Sequence, residues 1–277
     1  MQLGKEKTNQ QINKSTNKQI NKSTNKQINK STNQQINIMK LPKIAIIGYG
    51  AMGKEIKLQA EQLGYTITDI FDIDNVIEPK DYSFDVALDF STADAVLSNV
   101  KILAKIKKNL VIGTTNWEKQ FNEVKSIVEK SHIGVLYSSN FSIGMQKFFK
   151  IVEYSAKLFN KFDDYDFMLH EIHHKRKIDS PSGTALTLGN IILNELENKT
   201  KIVTETMHNK ISLNSLHVTS TRGGEIAGTH TIFIDSIADT IELTHRAKNR
   251  TGLARGAIYA ANLIFNRTGF YDFAEVI

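Results

Sequence analysis

Apolar residues recur along residues 39–277 at spacings that change with position. Residues 43–47 form a short apolar run that stops at Gly48-Tyr49-Gly50-Ala51-Met52-Gly53, and Ile56, Leu58 and Leu63 then continue at helical spacing toward Gly64. The pattern predicts a strand, a glycine turn and a helix. Further apolar runs predict strands at 65–71, 84–90, 110–112 and 133–137, with helices at 92–106 and 117–130 between them. Strands that alternate with helices predict a Rossmann-type, doubly wound parallel sheet of the α/β class, whose ligands lie at the carboxyl ends of the strands.

Beyond Asn140 the rhythm is different. A helix is predicted over 143–159, a strand over 166–173 and a helix opened by Ser180 as N-cap with Pro181 in its first position; Ala185, Leu188, Ile192 and Leu196 follow at helical spacing. Strands at 216–221, 226–234 and 240–245 come next, and a last helix over 252–266 carries Leu253, Ala257, Ala260 and Ile264 on one face. Consecutive strands with short links predict a second, α+β domain with a mostly antiparallel sheet. The expected organisation is therefore a dinucleotide-binding domain at 39–140, completed by 250–277, and a substrate-binding and oligomerisation domain at 141–249.

Composition alters this picture chiefly at the N-terminus. The 277 residues have a net charge of +6, which on a folded surface would suggest a nucleic-acid partner. Residues 1–38, however, hold seven lysines and one acid, so the whole surplus belongs to them and the remainder is neutral. That segment is a tandem repeat, Gln-Ile-Asn-Lys-Ser-Thr-Asn-Lys, which begins at Gln11, Gln19 and Gln27 and fades from Gln35. Its period fits neither a heptad nor an eleven-residue supercoil, and one Ile per repeat cannot offset the entropy of ordering the chain. A disordered tail is expected, with Met39 as the natural start. No nucleic acid and no membrane are expected as partners, since no apolar stretch approaches the ~20 residues of a span. The absence of cysteine excludes disulfides and fits a cytoplasmic setting.

The candidate chemistry is concentrated in Glu171-Ile-His-His-Lys-Arg-Lys-Ile-Asp-Ser-Pro-Ser-Gly-Thr184. Two histidines and three basic residues stand directly before a helix start, where free backbone N–H groups of Ser182, Gly183 and Thr184 and the helix dipole favour an anion. An unperturbed imidazole titrates near pH ~6.5, so His173 or His174 can give up a proton at neutral pH, which Lys and Arg ordinarily cannot. The loop reads as a place to hold and protonate a small carboxylate. A metal site built from His170, Glu171, His173 and His174 is the rival; strand alternation sends His170 and His174 one way and His173 the other, so no metal is expected. The glycine turn at Gly48–Gly53 suits a pyrophosphate, and Asp72, which closes the next strand 24 residues after Gly48, suits a ribose. Polar clusters at the other strand ends are Asp89-Phe90-Ser91, Gly113-Thr114-Thr115 and Ser138-Ser139-Asn140-Phe141.

From Met39 onward the chain resembles the dihydrodipicolinate reductases of bacterial lysine and diaminopimelate synthesis. The resemblance rests on residues 171–186, with their paired histidines, lysine and Pro-Ser-Gly-Thr turn, and on Gly113-Thr-Thr115, Asn140-Phe-Ser142, Arg222-Gly-Gly-Glu-Ile-Ala-Gly-Thr-His230 and Thr244-His-Arg-Ala247. It implies that His173 is the general acid and base, that Lys177 is a second proton donor, and that His174, Gly183 and Thr184 bind the carboxylates of a cyclic dicarboxylate substrate. It also implies that Gly48, Tyr49, Gly50, Ala51, Met52, Gly53, Asp72, Gly113, Thr114, Thr115, Ser138, Ser139, Asn140 and Phe141 hold a nicotinamide cofactor. The implied reaction reduces hydroxy-tetrahydrodipicolinate to tetrahydrodipicolinate, and the implied assembly is a homotetramer formed through the second sheet. Two departures stand out. The glycine turn is one residue shorter than in many members, and Ile73 occupies the place where some carry an arginine for a 2′-phosphate. With Asp72 beside it, NADH is the expected cofactor and NADPH remains possible through Lys54.

Overall fold

The computed structural model describes residues 41–277. The expectations for the repeat tail and for Met39 fall outside them. A six-stranded sheet is built from β1 (Ile44–Ile47), β2 (Ile67–Phe71), β3 (Val86–Asp89), β4 (Asn109–Ile112), β5 (Gly134–Tyr137) and β11 (Gly269–Asp272), in the order β11-β5-β4-β3-β1-β2. Every pairing in it is parallel.

Alternation along the strands sorts side chains into two cores, as a sheet covered on both faces requires. Ala45, Ile47 and Leu110 pack with α2 (Ala93–Lys105) and α3 (Phe121–Ser131) through Val96, Leu103, Val124 and Val128. Ile44, Ile46 and Val111 pack on the other face with α1 (Ala51–Gln62) and α6 (Thr251–Ile264) through Ile56, Ala257, Ala261 and Ile264. Helix α6 thus returns to the first sheet. Strand order reverses between β1 and β3, so the glycine turn after β1 and the Phe90-Ser91 turn after β3 stand at the topological switch point, where such sheets bind ligands.

A second, five-stranded sheet runs β10-β9-β6-β8-β7, from β6 (Asp166–His173), β7 (Lys201–Val203), β8 (Ser215–Arg222), β9 (Thr229–Asp235) and β10 (Thr240–Arg246). Helices α4 (Ile143–Phe159) and α5 (Gly183–Glu195) cover one face through Met145, Phe148, Val152, Leu188 and Ile192. Met168, Ile172 and Phe233, on the opposite side of their strands, belong to none of the three cores.

Several sequence expectations change in detail. This sheet is mixed: β9 is antiparallel to both β6 and β10, whereas β6, β8 and β7 run parallel, because α5 carries the chain back across the sheet before β7. Strands β7 and β11 were not expected: β7 has only three residues, and β11, Gly-Phe-Tyr-Asp, lacks the continuous apolar run of the other short strands. The strand expected at 226–234 begins only at Thr229, since 226–228 form a loop that binds back to β6 through His174 N–H and Ile226 O (2.8 Å). The segment expected as a helix over 117–130 opens with a separate 3-10 turn, Glu118–Gln120. The N-cap of α5 is Ser182 and not Ser180: its hydroxyl accepts the Ala185 N–H, and Gly183 is the first helical residue.

Candidate active site

The loop after β1 is close-packed by glycine. A Cβ on Gly48 (φ +89°) would stand 2.5 Å from Phe90 O, and one on Gly53 would stand 2.2 Å from Gly48 O. At Gly50, the N-cap of α1, a Cβ would meet nothing within 4 Å. The turn therefore presses against the sheet on one side and presents the first free amides of α1, at Ala51, Met52 and Gly53, on the other. Free amides at a helix start form an anion cradle, so the residues fit the pyrophosphate of a dinucleotide. Asp72 stands exposed one residue past β2, and its carboxylate makes no hydrogen bond among the described residues. Gly113 is pinned by Phe90, whose Cε1 would lie 2.2 Å from a Cβ there. Thr114 is buried and donates to the Asp89 carboxylate (3.0 Å), which also takes Ser91 Oγ (2.6 Å) and Asn99 Nδ2 (2.9 Å). Asp89 thereby ties the ends of β3 and β4 together. Phe141 is buried against Phe90 and Phe273, so its ring belongs to the core, and it lines neither cavity described below.

The second group of residues converges on a cleft of about 850 Å³ between the carboxyl edge of the first sheet and the β6 end of the second. Ser139, Asn140, His173, His174, Lys177 and Thr184 all line it. Asn140 Nδ2 reaches Thr184 Oγ1 (3.4 Å), which links the loop after β5 to the start of α5. Thr115 and Ser138 line a neighbouring cavity of about 400 Å³ with Thr114 and Ser139. Strand β6 ends at His173, so His174 escapes the alternation expected of it and reaches the same cleft. The basic run does not stand bare: Arg176 pairs with Glu225 (2.7 Å) and Lys177 with Asp179 (2.7 Å).

Behind His173 lies a buried polar cluster built around Glu171, which is 0% exposed. Its carboxylate accepts Ser182 N–H (2.8 Å), Ser182 Oγ, Ser220 Oγ (2.9 Å) and Arg222 Nη2 (2.7 Å). His173 Nδ1 stands 3.1 Å from Oε2, off the line of a straight hydrogen bond, and His230 Nε2 stands 3.4 Å from the same oxygen. Burial by itself raises the Glu171 carboxyl, but His173, His230, Ser182 and Arg222 outweigh it and hold the group well below the usual carboxylate range. His230 is lowered by burial, which Glu171 only partly opposes, and burial also lowers His245. Glu171, His173 and His230 have the residue types of a metal site. They do not suit a cation: Oε1 already takes three donors, one of them the Arg222 guanidinium, Ser182 Oγ holds Oε2, and the acceptor position left on Oε2 faces the two imidazoles.

The free amides at the start of α5 are fewer than expected. Ser182 N–H is taken by Glu171 and Ala185 N–H by the Ser182 hydroxyl, which leaves Thr184 and Gly183, whose amide helps hold the Asp179 carboxyl below its ordinary value, to receive a carboxylate. An anion-binding edge, a protonable imidazole and an ammonium thus face one cleft beside a dinucleotide cradle.

The sequence and the fold match proteins already known. Residues 42–141 match the family described as dihydrodipicolinate reductase, N-terminus, and residues 144–277 match its C-terminus. The chain belongs to the dihydrodipicolinate reductase family. A 4-hydroxy-tetrahydrodipicolinate reductase of Christiangramia forsetii is 35% identical over 237 residues, which cover 84% of this chain and 97% of the relative. The enzyme of the same name from Methanocaldococcus jannaschii is 35% identical over 220 residues, 78% of each chain. A dipicolinate-bound dihydrodipicolinate reductase from Paenisporosarcina sp. TG-14 shares the fold, with a TM-score of 0.68 at 20% identity, over 86% of this chain and 100% of that one. As the family implies, the chain is a nicotinamide-dependent reductase.

Sequence reasoning missed Arg222, His230 and Gly228 as site residues and saw Glu171 only as a candidate metal ligand. One signal was present, for Glu171 and His173 are two apart on a strand and share a face. Nothing local in residues 222–230 reveals that they meet β6.

Proposed function

We propose that the protein reduces 4-hydroxy-tetrahydrodipicolinate, a cyclic dicarboxylate, to tetrahydrodipicolinate with loss of water, in lysine and diaminopimelate biosynthesis. The observation that carries this reading is the convergence of His173, His174, Lys177 and Thr184 in one cleft at the carboxyl edge of the sheet that carries the dinucleotide cradle. Residues 39–140 and 250–277 serve dinucleotide binding, and 141–249 serve substrate binding and assembly.

One substrate carboxylate lies against the amides of Gly183 and Thr184 at the positive end of α5, and His174 and Lys177 hold the ring from the loop. Lys177 must first release Asp179, so substrate carboxylate replaces an internal one. A reduced nicotinamide supplies the hydride when bound, held by Gly48 to Gly53 at the pyrophosphate, Asp72 at the ribose, and Gly113 to Thr115 with Ser138 to Phe141 around the ring. His173 donates the proton that quenches the electron density built up on the substrate, with Lys177 as a second donor. Closure of the two sheets' loops over the ligands excludes water. NADH is the preferred cofactor, because the free Asp72 carboxylate suits a ribose diol and Ile73, 89% exposed, offers no charge to a 2′-phosphate. The uncovered face that carries Met168, Ile172 and Phe233 supports a homotetramer. The setting is cytoplasmic; among the described residues no helix is long and apolar enough to cross a membrane.

The test is a coupled assay with aspartate semialdehyde, pyruvate and the preceding synthase, following NADH absorbance with and without this protein. NADH loss should depend on the protein, and His173→Gln should cut turnover about 10²-fold or more. Full activity of that variant would remove the imidazole from the chemistry.

A further inference from the structure

His173 can serve as a proton donor only if one ring nitrogen faces the cleft while the other is held. Its Nδ1 is buried and points to Glu171 Oε2 at 3.1 Å. Its Nε2 looks the other way, toward the loop at 226–228. There a Cβ on residue 228 would stand 2.9 Å from Nε2; Gly228 (φ +154°) provides none, and that approach stays open. Glu171 is fully buried and immobilised from three sides: by Ser182 at the start of α5, by Ser220 and Arg222 on β8, and by the strand it shares with His173.

We propose that Glu171 is the positioning residue of the active site: it accepts the Nδ1 proton of His173, fixes that tautomer, and leaves Nε2 as the nitrogen that exchanges a proton with substrate. The same carboxylate holds the N-cap of α5 through the Ser182 N–H and hydroxyl. One group therefore sets the spacing between the proton donor and the amides that receive the substrate carboxylate. The contact is bent; catalytic hydrogen bonds often align fully only around a bound ligand. The other charged or titratable groups near the pair are Lys177 on the loop, Arg222 on β8, His230 on β9 with its ring 5.2 Å from His173, and His245 on β10. Of these, Arg222 and His230 address Glu171 directly, so they hold the carboxylate and do not replace it. Glu171 touches neither substrate nor cofactor; it acts through His173.

This inference rests on the reading of His173 as proton donor, and the two fail separately. Histidine-labelled 15N spectra of the full chain without ligands, with the His173 signals assigned by their loss in His173→Gln, read the tautomer directly. The neutral ring should carry its proton on Nδ1, the reverse of the preference of a free imidazole side chain. A predominantly Nε2–H ring overturns the proposal, even if His173→Gln is inactive. In Glu171→Gln the Nδ1–H form should be lost, and kcat should fall about 10- to 100-fold with a smaller change in KM. A residue with a structural role only would lower the melting temperature and leave the tautomer as it was; that result also overturns the proposal. If Glu171→Gln does not fold, the spectrum of the unaltered protein decides.

Discussion

Asp72 and the buried histidines make the sharpest single-residue expectations. A 2′-phosphate brought to Asp72 meets a carboxylate that forms no salt bridge among the described residues, and a repulsion of about 1.4 kcal/mol corresponds to tenfold. The ratio kcat/KM should therefore favour NADH over NADPH by about tenfold or more, and Asp72→Ala should shrink the gap; a clear preference for NADPH would contradict the assignment. The second expectation concerns acid. His230 and His245 are held below the ordinary imidazole value, and Glu171 well below the carboxylate range. In each case the unfolded chain binds more protons than the native one once pH drops below the unfolded value, so stability falls with pH. The melting temperature should decline from about pH 6.5 downward as the histidines contribute, and more steeply below about 4.3 as Glu171 joins. His230→Gln should flatten the first decline. A melting temperature that rises between pH 7 and 5 would reverse the sign. These residues were legible to different degrees. Asp72 follows from its spacing after a glycine turn, which is local. The environment of His230 is set by partners about sixty positions earlier in the chain, which no local pattern encodes.

Helices and strands were largely recoverable because their apolar periods are short. Core strands β1 and β3, buried along their whole length, read as continuous apolar runs, and α4 spans the residues its spacing predicts. The errors fall at boundaries and at the shortest elements, where the period has no room to repeat. Ser182 displaced Ser180 as N-cap because the carboxylate that fixes it sits on another strand, eleven residues earlier. Close packing between elements also escapes sequence reasoning. On α6, a Cβ at Gly256 would stand only 1.6 Å from Phe141 O, so this helix meets the loop after β5 backbone to backbone. Gly256→Ala must push the helix away from that loop and from the cofactor side of the cleft. A loss of about 1–3 kcal/mol is expected, read as a lower denaturation midpoint with activity reduced in step. An unchanged midpoint would mean that the two backbones separate freely.

For the molecule as a whole, charge is divided unevenly between segments. Residues 1–38 carry the entire surplus of positive charge, and nothing in their repeat supports a core. Their deletion should leave kcat, KM and melting temperature unchanged; a loss of activity would give the segment a role that its composition does not suggest. Local periodicity alone was enough to define two α/β and α+β halves, a glycine cradle, and a loop suited to hold and protonate a carboxylate, because backbone hydrogen bonding imposes 3.6- and 2-residue periods wherever a face must be buried. Which residues stand behind His173 was decided only by strand pairing. Register sets Glu171 opposite His230 and His173 opposite Arg222, and the loop after β8 lays Gly228 over the ring. Such contacts join residues about fifty or sixty positions apart, and their register is fixed by how whole strands fit into a common core, a property that no short stretch of the chain possesses.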